Sequence, residues 1–123
     1  MLWLAVALGG AVGATIRFGV AVWLPIRPGE FPVATYGVNI AGSFLAGVLY
    51  VLIVEKGLLM PHLRPPLMVG MLGALTTYST FSLESVLMLR DGDYQLALGY
   101  MLSTFICCVL ATVAGLGLTS KIF

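Results

Sequence analysis

Apolar residues fall into four long runs along the chain, and charged or turn-forming residues separate these runs. The runs cover residues 2–24, 32–54, 65–89 and 94–118. Each has roughly 20–25 residues, the length that an α-helix needs to cross a hydrocarbon core of about 30 Å. Strands of a membrane barrel would be shorter and would alternate in polarity. The pattern therefore predicts an all-α integral membrane protein, with four transmembrane helices in a single domain over residues 1–123.

Composition excludes several classes of protein. Of the 123 residues, 60% are hydrophobic and 9% are charged, and the net charge is +1. The mean hydropathy is +1.07. A soluble domain carries about 25% charged residues, and a nucleic-acid-binding protein needs a basic excess, so neither class fits and no nucleic-acid partner is expected. The first run has a second interpretation, as a signal peptide, but it lacks a basic start and three more spans follow.

Two cysteines, Cys107 and Cys108, are adjacent within the fourth run. Neighbouring side chains on a helix point in different directions, so a disulfide between them is not expected. No spacing of cysteine and histidine indicates a zinc site.

Lysine and arginine do not mark one side of the predicted membrane protein. Near the span ends, three lie on the face with the termini and three on the other face: Lys56, Arg64 and Lys121 against Arg17, Arg27 and Arg90. The positive-inside rule therefore gives no orientation. Either a further factor orients the chain, or the chain inserts both ways and forms an antiparallel, dual-topology homodimer. The balance favours the homodimer, and four helices alone have too little interior for a transport pathway.

Rows of small or polar residues follow the first two spans at a spacing of four, which puts each row on one helix face. The rows are Gly9, Gly13 and Arg17 in the first span, and Thr35, Asn39, Ser43 and Gly47 in the second. The glycines predict the close approach of another helix. Arg17 either extends to the lipid headgroups or attracts anions at a vestibule. Asn39 either joins two helices or donates hydrogen bonds along a pathway.

The middle of the third span is rich in residues that weaken a helix. Residues 70–82 contain two glycines and five Ser or Thr residues, whose hydroxyls compete for backbone carbonyls. We expect this helix to break near Thr76. A broken helix persists at membrane depth only where protein or water covers it, and its freed carbonyls can bind cations. Tyr78 and Phe81 would share a face beyond the break, either in the core or on a pathway.

The fourth span carries a row of polar or soft side chains, again at a spacing of four: Tyr100, Thr104, Cys108 and Thr112. Scattered Ser and Thr residues are ordinary in membrane helices, but so regular a row favours one wall of a polar pathway. Glu84, the only acid within a span, lies toward the end of the third, where we expect it to pair with a hydrogen-bond donor.

Three segments together resemble the Fluc/CrcB family of small fluoride channels. They are GGAVGATIR at residues 9–17, TYGVNIAGSF at residues 35–44 and GALTTYSTFS at residues 73–82. The last is similar to the family signature GGLTTFSTFS, and the resemblance covers nearly all of the chain. Two positions depart from that signature, because Ala74 replaces a glycine and Tyr78 replaces a phenylalanine.

The resemblance implies an antiparallel homodimer with two fluoride pathways along the subunit interface. It implies a structural Na⁺ on the two-fold axis, held by the backbone carbonyls of Gly73 and Thr76. Asn39 would donate to fluoride, while Tyr78 and Phe81 would match the paired pore phenylalanines. The other pathway positions implied are Thr35, Tyr100, Thr104, Cys108 and Thr112.

The expected function is passive export of cytoplasmic fluoride across a prokaryotic inner (plasma) membrane, with lipid and a second copy as partners. Neither a nucleophile–base pair nor a carboxylate dyad is present, so an enzyme is not expected. One alternative is a small multidrug-type four-helix exporter, which would need a carboxylate in the first span, where Arg17 stands instead. A second alternative is an accessory subunit without transport of its own.

Overall fold

The computed structural model describes all 123 residues, and it is helical throughout, without strands. Helix α1 is Leu2–Trp23, and α2 is Val33–Tyr50, which continues as a π-helical stretch, Val51–Glu55. A short 3-10 helix, Pro61–Leu63, precedes a second π-helix, Pro65–Leu72. The single turn α3, Gly73–Leu75, follows it directly, and then come α4, Tyr78–Arg90, and α5, Tyr94–Ile122.

Three helices are long and apolar enough to cross a membrane: Leu2–Trp23, Val33–Glu55 and Tyr94–Ile122. The third predicted span, residues 65–89, is not one continuous helix. Helical geometry stops after Leu75, because Thr76 has φ −80° and ψ 155° and Thr77 has φ −150° and ψ 117°. Both values are those of an extended chain.

Glycines set the closest contacts between helices. Gly9 and Gly13 of α1 lie against the backbone of the π-helix Pro65–Leu72, where a Cβ on either would collide with a carbonyl of Pro66 or Met71. Helices α2 and α5 approach in the same way, since a Cβ on Gly47 would lie 2.5 Å from the Thr112 carbonyl oxygen. Small residues allow such backbone contact between helices in lipid, so the predicted close approach of α1 to another helix is confirmed.

Little of this single chain is enclosed, since only 19 of 123 residues are buried. Large apolar side chains cover its outer surface, including Trp3 and Trp23 near the two ends of α1. A surface of this kind suits lipid or a protein partner rather than water. Both cysteines are free thiols.

Candidate functional site

A groove of about 720 Å³ lies on the surface of the chain beside the break between α3 and α4. Helices α2 and α5 form its walls, together with the two halves of the third predicted span. Eight of the predicted site residues line it: Asn39, Gly73, Thr76, Tyr78, Phe81, Thr104, Cys108 and Thr112. The groove is open to one side, because Tyr78 and Phe105 on its lining are 79% and 69% exposed.

The break leaves the backbone carbonyls of residues 73–76 without their usual helical donors. In a continuous helix the N–H of Thr77 would donate to Gly73, and the N–H of Thr80 would donate to Thr76. Here the Thr77 N–H donates to Asn39 Oδ1 at 2.8 Å, and the Thr80 N–H donates to Thr77 Oγ1 at 3.2 Å. The carbonyls of Gly73 and Thr76 are therefore free, because the N–H groups that would bond to them donate to side-chain oxygens instead. Thr77 also supplies the N-terminal cap of α4, a favourable role for threonine.

Asn39 of α2 bonds to the extended backbone at the break. Its Oδ1 accepts from the Thr77 N–H, and its Nδ2 donates to the Thr77 carbonyl at 3.1 Å. The side chain is buried, yet it lines the groove. Because the amide has two N–H donors, one N–H is left without a partner after the bond to Thr77. Both roles considered from the sequence, joining helices and donating to a pathway, are thus compatible at this residue.

Arg17 of α1 bonds to the backbone on the N-terminal side of the break. Its Nε donates to the carbonyl oxygen of Ala74 at 2.9 Å. The side chain makes no ion pair within 4.0 Å with Glu84, since the only ion pair in the chain joins Arg27 and Glu30 on the surface. Arg17 does not line the groove. It lines a separate, smaller cavity of about 120 Å³ together with Thr35 and Glu84.

Glu84 is the acceptor for two of the predicted pathway residues. Thr35 Oγ1 donates to its Oε1 at 2.8 Å, and the Tyr100 hydroxyl donates to its Oε2 at 2.7 Å. The expectation that Glu84 pairs with a donor is confirmed. The sequence did not reveal that its partners are Thr35 and Tyr100, because Thr35 lies 49 positions from Glu84 along the chain. With their protons on a carboxylate, neither hydroxyl is free to donate to another ligand.

The predicted polar row on α5 divides into groups with different surroundings. Tyr100 is fully buried and lines neither cavity, while Thr104, Cys108 and Thr112 line the groove. Thr112 Oγ1 donates within the protein, to the Ser43 carbonyl at 3.1 Å or the Cys108 carbonyl at 3.1 Å. Thr104 Oγ1 is buried without any hydrogen-bond partner. A buried hydroxyl without a partner is costly, so Thr104 is the residue of the row whose hydroxyl would gain most from a hydrogen-bonding ligand.

Aromatic rings form a second feature of the groove. The ring centroids of Tyr78 and Phe81 lie 5.5 Å apart, and Phe81 packs on Tyr100 at 5.2 Å. Behind them, Phe31 packs edge to face on both Tyr36 and Tyr100. Aromatic edges carry partial positive charge, so Tyr78 and Phe81 offer weak anion contacts without a formal charge.

Comparison with known proteins identifies relatives along nearly the whole chain. The family described as CrcB-like protein, Camphor Resistance (CrcB), matches residues 4–116. A protein of Saccharophagus degradans named fluoride-specific ion channel FluC is 49% identical, over 99% of this chain and 92% of its own length. A protein of Hahella chejuensis with the same name is 45% identical, over 95% and 93% of the two chains.

Proposed function

Because this chain belongs to the CrcB family, we propose that it is a fluoride-selective channel that lets cytoplasmic fluoride leave the cell passively. It is a helical, multi-pass membrane protein, and the family's members are channels rather than enzymes. The observation that carries the proposal is the groove beside the break, where free neutral donors and aromatic edges gather. We assign the protein to the inner (plasma) membrane of a bacterium.

The chemistry of the groove suits a small, strongly hydrated anion. A pore must replace the hydration of fluoride with donors, but must also release the ion again. The remaining N–H of Asn39 and the unpartnered hydroxyl of Thr104 supply neutral donors, while Tyr78 and Phe81 supply ring edges. No basic side chain lines the groove. Neutral donors bind fluoride without the trapping that a fixed positive charge would cause.

We further propose that the third span is one broken membrane helix, formed by residues 65–75 and 78–90, so that the chain crosses four times. A groove of this volume is in the range that holds a drug-sized molecule. It cannot by itself surround a dehydrated fluoride ion with donors. A second, antiparallel copy packed over the exposed Tyr78 side would close the groove and leave two narrow pathways at the interface.

The antiparallel arrangement predicts a mixed orientation in the membrane. A tag at the C terminus should be accessible from both sides, because the basic residues of the two faces balance at three each. Adding two or three Lys residues to one face should bias insertion. Such a biased variant should then form dimers only with an oppositely biased partner. A single fixed orientation of the unmodified chain would contradict the proposal.

We also propose a structural Na⁺ between the two copies, held by the carbonyls of Gly73 and Thr76. These carbonyls fit such an ion, since both residues line the groove and the usual donors of both are diverted to other acceptors. Na⁺ is a hard cation that prefers oxygen ligands. When bound, it would neutralise carbonyl dipoles in a region of low dielectric, and two carbonyls from each copy would give four ligands.

Replacement of Thr104, whose hydroxyl has no partner, should lower fluoride efflux without lowering the stability of the dimer. Thr104→Val should keep the shape, lose no hydrogen bond within the protein, and leave the dimer at least as stable. Fluoride efflux should nevertheless fall about tenfold or more, because a bond to a charged ligand is worth about 1.5–3 kcal/mol.

Thr112→Val should instead lower stability, since the Thr112 hydroxyl bonds within the protein. Cys108→Ser adds a better donor and should reduce efflux less than Thr104→Val.

Fluoride efflux from liposomes that contain the purified protein tests the function directly. A fluoride electrode should record rapid release, and a chloride electrode should record little. A multidrug-type exporter would instead need a proton gradient and an organic cation, and an accessory subunit would release neither ion. Lack of fluoride release from liposomes shown to contain dimers would refute the proposed function.

A further inference from the structure

We propose that Arg17 is a positioning residue for the sodium site, rather than a charge that attracts fluoride. By binding the carbonyl of Ala74, it fixes the turn from which Gly73 and Thr76 present their own carbonyls. This inference rests on the proposed function, because the sodium ion is part of that proposal.

The geometry anchors the break at two points. Arg17 of α1 holds the Ala74 carbonyl at 2.9 Å, before the break. Asn39 of α2 holds both backbone groups of Thr77, after it. The Thr76 carbonyl lies between these two anchors, and that of Gly73 lies directly before them. Two side chains from different helices therefore limit how far the freed carbonyls can turn.

Arg17 also determines which carbonyls remain available. The carbonyls of residues 73–76 all lie at the break, and a guanidinium N–H occupies that of Ala74. Without this donor, the Ala74 carbonyl would have no hydrogen-bond partner. The single turn α3 would also lose the side-chain hydrogen bond that joins it to α1. The turn would then adopt other orientations, and the sodium ion would lose a preformed set of ligands.

The location of Arg17 argues against direct attraction of fluoride in the groove. It lines the small cavity with Thr35 and Glu84, whereas Asn39 and Thr104 line the large groove. The carboxylate of Glu84 borders the same small cavity. A cavity with one arginine and one carboxylate offers an anion no net positive charge.

Thermal unfolding of the purified dimer at increasing Na⁺, with N-methylglucamine replacing Na⁺, tests this role. Arg17→Gln alone would unbalance the basic residues of the two faces, so it is combined with Lys121→Gln, which removes one charge from the other face. The matched control is Arg90→Gln with Lys121→Gln, because neither Arg90 nor Lys121 takes part in an ion pair. Both double variants carry the same net charge.

The wild-type dimer should unfold at a higher temperature in Na⁺. The Arg17 double variant should need about tenfold more Na⁺ for half of this effect, as expected for the loss of one charge-assisted hydrogen bond. The Arg90 control should match the wild type. A wild-type Na⁺ requirement in the Arg17 variant would overturn the role of Arg17 alone. Absence of any Na⁺ effect in the wild type would overturn the sodium site as well, whereas fluoride efflux tests the channel separately.

A milder variant covers the case in which the double variant forms no dimer. Arg17→Lys keeps the charge and its balance but places its donor one atom further along the side chain than Nε. It should raise the Na⁺ concentration for half-maximal stabilisation at least threefold, whereas Arg90→Lys should not change it. An unchanged Na⁺ requirement in Arg17→Lys would overturn the proposal.

Discussion

Replacement of Asn39 with alanine should slow fluoride efflux per dimer by about one to two orders of magnitude. The change removes the N–H that remains for the ion, a charge-assisted bond worth roughly 1.5–3 kcal/mol, and a loss of this size at the barrier slows flux by that factor. It also removes both hydrogen bonds that hold Thr77. The measurement is the initial rate of fluoride release from liposomes, normalised to the amount of reconstituted dimer.

Ser43→Ala is the matched control for Asn39→Ala. Ser43 lies one turn further along the same face of α2 and lines the same groove. Its carbonyl accepts from Thr112, and this backbone bond survives the substitution. Efflux should therefore fall less than in Asn39→Ala. If dimeric Asn39→Ala protein conducts fluoride at the wild-type rate, this row on α2 only joins helices.

Phe81→Ile should also reduce fluoride efflux strongly, by up to about tenfold. The isoleucine keeps most of the bulk but removes the ring edge, and aromatic contacts contribute about 0.5–1.5 kcal/mol beyond the area that they bury. It also removes the packing of the Phe81 ring on Tyr78 and Tyr100. Efflux and the size of the dimer are measured on the same preparation, because a loss of flux in intact dimers points to electrostatics rather than to assembly.

Tyr78→Phe is the companion change. It restores the family signature and keeps the ring, and no hydrogen bond of the protein involves the Tyr78 hydroxyl, so efflux should stay within about twofold of wild type. Tyr78→Ile removes the ring edge and should reduce efflux as Phe81→Ile does. Equal efflux from wild type, Phe81→Ile and Tyr78→Ile would show that the ring edges do not contribute to conduction.

The sequence predicted the helical class because the length of an apolar run and the spacing of glycines are local properties of the chain. Spacing of four residues was enough to place Gly9 and Gly13 on one face, and the structure has them against a neighbouring backbone. The glycines and hydroxyls near Thr76 are a local signal as well, and Thr76 and Thr77 have extended backbone in the structure. The π-helical geometry of residues 65–72 had no such signal.

The partners of the polar side chains could not be predicted in this way. Arg17 and Ala74 are 57 positions apart, and Asn39 and Thr77 are 38 apart. Spacing along one helix indicates which face a side chain occupies, but not which group of another helix it meets. For the same reason the row on α5 was predicted as uniform, although in the structure Tyr100 bonds Glu84 away from the groove.

The central claim is that the dimer conducts fluoride passively, and its dependence on membrane voltage tests this most directly. Liposomes loaded with potassium fluoride, without a proton gradient, are diluted into fluoride-free medium before valinomycin is added. Fluoride efflux should begin only after valinomycin is added, because only then can potassium balance the charge that leaves, and Thr104→Val should slow this efflux. Rapid efflux without valinomycin, or efflux that requires an imposed proton gradient, would contradict the central claim.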